Sequence, residues 1–436
     1  FRDGLRIYLK EHQYGNAEWS NLVQAFERSS GRKLTQWAEA WIRRRGMPQV
    51  DVSWVCSDGR LSTLSLAQRN VLNEGGLWPI ATQILLVYEN AAPVRIRAEF
   101  AQEKAQVAEA IGKSCPAFVF GNDQDYAYGR FLLDPRSQIV VEGKLGNIGD
   151  LFERTLLWGS LWDSVREAQL EPKNYLSLVH GLLSGEKDES LAQSLTAHTI
   201  TALHRYVSSE TRLHFVARFE TMAEYRMMHA EDQGLRIVWF RFLRAVAETE
   251  IGRNDLKQLI AEKWQVPGVQ LRSLDRWSMV TALIATKDAE ADKVFAAERE
   301  RDHTGDGLKY AYVAEAARPD PATKQKYFDD YLRNSDRPED WVEQSLGAFN
   351  YWNESELTAP YLRPALDALP QVKRQRKIFF VLAWLGAFIG GQQSAEADTE
   401  VHNWLKTGRI DPDLRLKILE VMDELERTVK IRQRYR

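Results

Sequence analysis

The sequence predicts a mainly α-helical chain that carries a small all-β domain near its start. Two observations carry that expectation. Hydrophobic residues recur with helical spacing over residues 1–45, switch to a period of two over 46–135, and return to helical spacing over 136–436. Only 14 prolines interrupt the 436 residues, few enough to leave long helices unbroken. The composition, 44% hydrophobic and 27% charged, is that of a folded globular protein. At ~150 residues per domain the length suggests about three folding units. Such a chain can bury roughly 75% of its unfolded surface without disulfide staples.

Residues 1–45 read as helical. Asn16 is placed to cap a helix whose Trp19, Leu22, Val23 and Phe26 share one face, with Gly31 as its stop. A further helix carries Trp37, Ala38, Trp41 and Ile42. Arg43, Arg44 and Arg45 would then occupy its last turn, where cations complement the helix dipole. So many large apolar groups in so short a stretch need a partner outside it.

Over 46–135, Val50, Val52 and Trp54 alternate with Asp51 and Ser53, and Asp58-Gly59 marks a hairpin turn before a second strand. Val94, Ile96, Ala98 and Phe100 alternate with Arg95, Arg97 and Glu99, as in a strand with one wet face. Phe118 and Phe120 flank Val119, and Tyr126 and Tyr128 are expected to begin another strand after a turn at Asn122-Asp123. Together these imply a small antiparallel β-sandwich.

Over 136–436 the pattern is almost wholly helical. Leu157, Trp158, Leu161, Trp162 and Val165 form a stripe behind Asp150 as cap. The apolar run 378–389 is shorter than the ~20 residues that span a bilayer. It reads as a buried helix, with Lys373, Arg374, Arg376 and Lys377 as a solvated first turn. Asp411 caps a last helix with Pro412 at its first position, and Leu414, Ile418, Val421, Leu425 and Val429 make its buried face. No fixed-period repeat is detectable. An irregular stack of antiparallel helix pairs, a HEAT/armadillo-like superhelix, fits best.

The chemistry is defined largely by what is missing. With 58 basic and 61 acidic residues the net charge is −3, which exerts no global pull on nucleic acid or anionic membrane. The basic stretches at 43–45, 373–377 and 430–436 are short and scattered, so neither nucleic acid nor membrane is an expected partner. None of the 8 histidines has another three or four positions away, and HExxH is absent, so no zinc site is expected within the chain. Cys56 and Cys115 lie in separate expected strands. They read as two free buried thiols, with a bridge between strands as the alternative. Gly112-Lys113-Ser114 lacks the upstream glycine of a phosphate-binding loop, since position 107 is Val. Asn122, Asp123 and Asp125 lack the glycine and distal Glu of a calcium loop and read as a turn. Glu298 and Glu300 read as a solvated helix face. No catalytic constellation emerges.

Three segments, in order, resemble the aminopeptidase N-like zinc peptidases (gluzincins). Phe1-Arg2-Asp3-Gly4-Leu5 with Tyr8-Leu9, then Tyr14-Gly15-Asn16-Ala17, Ser30-Gly31, Trp37 and Trp41, is similar to the helix pair that ends that family's catalytic domain. Asn122-Asp123-Gln124-Asp125-Tyr126 through Leu133-Asp134-Pro135-Arg136-Ser137 resembles the last strands of its β-sandwich. Leu157-Trp158-Gly159-Ser160-Leu161-Trp162-Asp163 resembles the start of its C-terminal helical domain. The resemblance implies three parts: 1–45 as catalytic-domain helices, 46–135 as the β-sandwich and 136–436 as the helical domain.

It further implies that the intact protein is a Zn-dependent aminopeptidase acting on peptides. Its metal ligands and catalytic residues would lie upstream of Phe1, leaving none here and an inert fragment. The partners would be the missing N-terminal and catalytic domains. The helical domain would form a bowl over the active site that limits access to peptides. Tyr351, Trp352, Arg374 and Arg376 are the candidate peptide-facing residues, because aromatics and cations cluster near an inter-helix turn. The unpaired cysteines and absent signal lean toward a cytoplasmic setting. The alternatives are a helical-repeat interaction scaffold and an inactive relative, which the residues encoded upstream of Phe1 would separate.

Overall fold

Asp58 and Gly59 take φ of 52° and 72°, the left-handed pair that lets a two-residue turn follow the twist of its flanking strands. From this turn the first sheet grows. In the computed structural model, which describes residues 1–333, 337–407 and 410–435, the chain divides into two units, Phe1–Ser164 and Val165–Arg436.

The first unit holds β1 (Pro48–Ser57), β2 (Arg60–Asn70), β3 (Ile80–Val87), β4 (Val94–Phe100), β5 (Lys104–Gln106), β6 (Phe118–Phe120) and β7 (Arg130–Leu132). They form two sheets, ordered β5-β2-β1-β7 and β4-β3-β6. The expected alternation is present: Val50 and Val52 are buried where Asp51 and Ser53 are exposed, and Ile96 and Phe100 are buried where Arg95, Arg97 and Glu99 are exposed. One pairing departs from the antiparallel expectation. β7 runs parallel to β1, with Val50 opposite Phe131.

Tyr126 and Tyr128 do not begin a strand. They are 59% and 71% exposed, and pairing resumes only at Arg130. The Asn122 side chain explains the delay: its Oδ1 accepts from Ala127 N at 2.9 Å while its Nδ2 donates to Ala127 O at 2.9 Å, holding the segment as a turn.

Cys56 and Cys115 are bonded to each other, with Cα atoms 5.8 Å apart and a separation of 59 positions in sequence. The two free thiols expected from the sequence are therefore corrected to the bridge. β1 ends beside the segment that precedes β6, and Arg60 of β2 bridges to Ser114, so pairing carries the two sulfurs together. This removes unpaired thiols as a ground for a cytoplasmic setting, since cytosolic proteins rarely keep disulfides.

In the N-terminal segment, Gly31 ends the helix Trp19–Ser30 in the left-handed region, as expected, but Asn16 is not its cap. Glu18 and Asn21 form a reciprocal capping box instead. Arg44 and Arg45 lie beyond the π-helical turn Glu39–Arg43 rather than in a last helical turn; Arg44 stacks over Trp78 and Arg45 pairs with Glu74. Asp150 does cap the helix Leu151–Arg166, accepting from Glu153 N at 2.9 Å, and Leu157, Trp158, Leu161, Trp162 and Val165 are buried.

Among its described residues the second unit consists of helices and their connections, with no strand. Its helices begin where short polar residues offer an oxygen to the first free N–H groups: Asp188, Ser208, Asp232, Thr249, Thr304 and Asp320 each cap one. Alternate helices pack in succession: Glu189–Thr201 on Gln233–Val246, Ser273–Ala285 on Gly305–Ala316, then Gly305–Ala316 on Glu339–Phe349, which also packs on Ile378–Phe388. This is the layering expected of a helix-pair stack. Phe328, Phe349, Tyr361, Trp384 and Phe388 form an aromatic cluster within it.

Local expectations are corrected in four places here. Lys373 and Arg374 belong to the last turn of the helix Leu362–Gln375, not the first turn of the next, and Ile378, Phe379 and Leu382 are exposed on an otherwise buried helix. Asp411 stands at the start of the helix Pro412–Arg434 but makes no cap hydrogen bond, since its carboxylate accepts from Lys373 at 2.6 Å. The buried face of that helix runs through Leu414, Ile418, Met422, Leu425, Thr428 and Ile431, with Val421 and Val429 only half-buried. Glu298 is not solvated. It is 2% exposed and meets Arg276 at 2.7 Å and Arg301 at 2.7 Å.

Candidate functional site

The helix Glu339–Phe349 ends at Asn350, and the following turn presents Tyr351 and Trp352. The Trp352 ring stacks on His204 at 4.0 Å between centroids with planes 5° apart. On Trp352 also lies the Arg212 guanidinium, 4.8 Å from the ring, fixed by paired hydrogen bonds to Glu248 of 3.0 and 3.1 Å. The Trp352 carbonyl accepts from Gln393 Nε2 at 2.9 Å, and Gln393 Oε1 accepts from Arg432 at 2.6 Å. Arg432 Nε donates to the Arg205 carbonyl at 2.6 Å, and Arg205 lies 3.4 Å from Glu424.

Four basic side chains thus gather around one exposed-to-buried aromatic step. Burial, then Arg212 and Arg205, lower the His204 imidazole to about 3, so it stacks as a neutral ring. Burial also lowers Arg432, reinforced by Arg205 and Arg212. Burial pushes the Tyr351 phenol up to about 12. The guanidiniums are engaged by Glu248, Gln393 and Glu424, and the Trp352 ring is covered by His204 and Arg212. The arrangement contains no nucleophile held by a base.

Arg376 and Arg374 have other neighbours. The Arg376 side chain is 10% exposed, 3.7 Å from Glu339 and 5.0 Å from the Phe380 ring. Arg374 is exposed. The structure therefore brings Tyr351 to Trp352, 6.2 Å apart, and gives the arginines a separate setting. His204, Arg205, Arg212 and Arg432 were not among the sequence candidates. They come from the adjoining segments Ala202–Tyr206 and Ser209–His229 and from the distant helix Pro412–Arg434, and no motif links them.

Two clefts also open in this unit. One, of about 630 Å³, is lined by Tyr312, Tyr327, Lys326, Asp330 and Arg333 among others. The other, of about 670 Å³, lies along the segment 264–271 with Arg276 and Arg301 on its wall. In the first unit, Phe1, Leu9, Tyr14, Trp19, Trp37 and Ile42 are exposed. No helix among the described residues is long and apolar enough to cross a membrane.

Comparison with known proteins gives this architecture its relatives. The model of the ERAP1-like C-terminal domain matches residues 118–427. Aminopeptidase N of Streptomyces lividans is 27% identical over 449 aligned residues, covering 99% of this chain and 52% of that protein. Tricorn protease-interacting factor F2 of Thermoplasma acidophilum is 25% identical over 52% of this chain and 26% of its own length. The puromycin-sensitive aminopeptidase of Caenorhabditis elegans is 31% identical over 24% of this chain and 11% of its own length. The chain spans about half the length of the Streptomyces protein, with its sheets and helices following one another as the resemblance implied. It belongs to the ERAP1-like C-terminal domain family, the C-terminal region of the M1 aminopeptidases.

Proposed function

We propose that this chain is the non-catalytic C-terminal region of a zinc aminopeptidase that removes N-terminal residues from peptides. The observation that carries the reading is the alignment of 99% of the chain with 52% of an aminopeptidase N. Residues 1–45 are the closing helices of the catalytic domain, 46–135 the β-sandwich and 136–436 the helical domain. The exposed Phe1, Leu9, Trp19 and Trp37 support a partner for the first of these segments.

Zinc would belong to the rest of the polypeptide. The donor set of that metal includes HExxH, which this sequence lacks, and its histidines have no helical pair, so these residues do not fit that ion. No catalytic step is derived through them. Their part is to restrict and orient: the helical domain covers the active site as a bowl, admits peptides and excludes folded proteins. Tyr351 and Trp352, backed by Arg212 and Arg432, and the separate pair Arg374 and Arg376 face the peptide.

The purified chain is expected to release no amino acid from peptides, whereas the polypeptide extended to include the upstream domains does. Turnover by the chain alone would refute the assignment. In the extended enzyme, Arg374→Glu with Arg376→Glu is expected to lower kcat/KM for long peptides about tenfold, on the order of 1.4 kcal/mol, and to spare dipeptides. Equal kinetics at all lengths would remove the arginines from the peptide path.

A further inference from the structure

Among the described residues, the side chains of Asp398, His402 and Glu426 each bring one metal-ligating atom to within 4.8 Å of the others. Asp398 and His402 stand one turn apart on the helix Ala395–Thr407, and Glu426 faces them from the helix Pro412–Arg434. His402 Nε2 lies 3.1 Å from Glu426 Oε1 and 3.6 Å from Asp398 Oδ1. Donors bound tetrahedrally to a zinc-sized ion at ~2.0–2.2 Å stand about 3.3–3.6 Å apart, so these two edges already approximate a coordination polyhedron.

A hydrogen-bonded histidine does not satisfy the cluster. Nε2 carries one N–H at most, and two carboxylate oxygens face it. If that N–H serves Glu426, Asp398 is left at a separation too long for a hydrogen bond. Asp398 Oδ1 is indeed buried without a hydrogen-bond partner. The basic residues next along the second helix point elsewhere: Arg427 pairs with Asp423 and Glu167, and Lys430 lies 3.6 Å from Glu167.

We propose that Asp398, His402 and Glu426 bind a first-row divalent cation of the zinc class, which staples the last helix to its neighbour. One imidazole and two carboxylates suit such an ion, leaving a fourth position for water. The side chains are 22%, 44% and 47% exposed, so the site opens to solvent and loads without unfolding. This site is separate from the zinc implied for catalysis, and the inference does not depend on the proposed activity.

The test is equilibrium dialysis of the 436-residue chain against Zn²⁺, with thermal melts in parallel. One equivalent is expected to bind and to raise Tm. His402→Ala and, separately, Glu426→Gln are each expected to weaken binding about tenfold or more and to abolish the Tm increment, with unchanged circular dichroism. Co²⁺ in place of Zn²⁺ should give a visible d–d absorption band that His402→Ala removes. Absence of stoichiometric Zn²⁺, or uptake that survives both substitutions, would overturn the proposal.

Discussion

Asp255 shows how one residue can oppose the fold that contains it. It is 4% exposed on the helix Glu250–Ile260, and its Oδ2 accepts no hydrogen bond. Glu220 lies nearby, bound to the N–H groups of Glu248 and Thr249 and so close to Gly252 that a Cβ there would clash with its Oε1. Burial, with Glu224 and Glu220, raises Asp255 from 3.8 to about 6. The folded state then binds more protons than the unfolded state between these values. This group therefore costs stability at neutral pH and ceases to do so as pH falls below 4. Asp255→Asn is expected to stabilise the chain by about 1–3 kcal/mol at pH 7 and by much less at pH 4. Urea denaturation at both values checks this; an equal gain at both would show that the carboxylate charge is not the cause.

The same scale explains the misread residues. The charge-rich helix of Glu298 points to water, yet Arg276, 5% exposed and 22 residues earlier in the chain, meets it inside. A buried ion pair has the same sequence signature as a solvated one. Tyr351 and Trp352 could be picked out as aromatic, but not that Trp352 would rest between His204 and Arg212.

At the scale of elements, local patterns were legible where one short stretch contains the whole cause. The hairpin at Asp58-Gly59, the stop at Gly31 and the cap at Asp150 each follow from a few neighbouring residues. Element ends were less legible where distant groups compete for the same atoms. Asp411 has the position of a cap, but Lys373 of another helix takes its carboxylate. The disulfide belongs here as well: it ties the end of β1 to the segment before β6 and closes a loop across 59 residues. Replacing both Cys56 and Cys115 by Ser is expected to lower stability by about 2–4 kcal/mol. The unreduced chain should show no free thiol to a thiol-reactive dye until it is unfolded and reduced. Two reactive thiols in the native chain would refute the bridge.

For the whole molecule, the exposed apolar groups of residues 1–45 carry a quantitative expectation. Trp19 and Trp37 are 40% and 46% exposed, so Trp19→Gln with Trp37→Gln is expected to change the stability of this chain by less than about 1 kcal/mol. In the extended polypeptide, where we place a partner against these faces, the same pair is expected to cost about 3 kcal/mol or more. Parallel thermal melts of both lengths make the comparison, and an equal effect in the two would argue that nothing covers these residues.

By itself the sequence determined the order of helices, strands and helices, the cap at Asp150, the turn at Asp58-Gly59, the stop at Gly31, and a likeness to one peptidase family that the 118–427 match upholds. Those features depend on periodicity and on groups a few residues apart, and both are written along the chain. The tertiary structure alone decided the Cys56–Cys115 bond, the burial of Glu298, the cations around Trp352, and the meeting of Asp398 and His402 with Glu426. Each of these depends on a distance between separate elements, which packing sets and linear spacing does not encode.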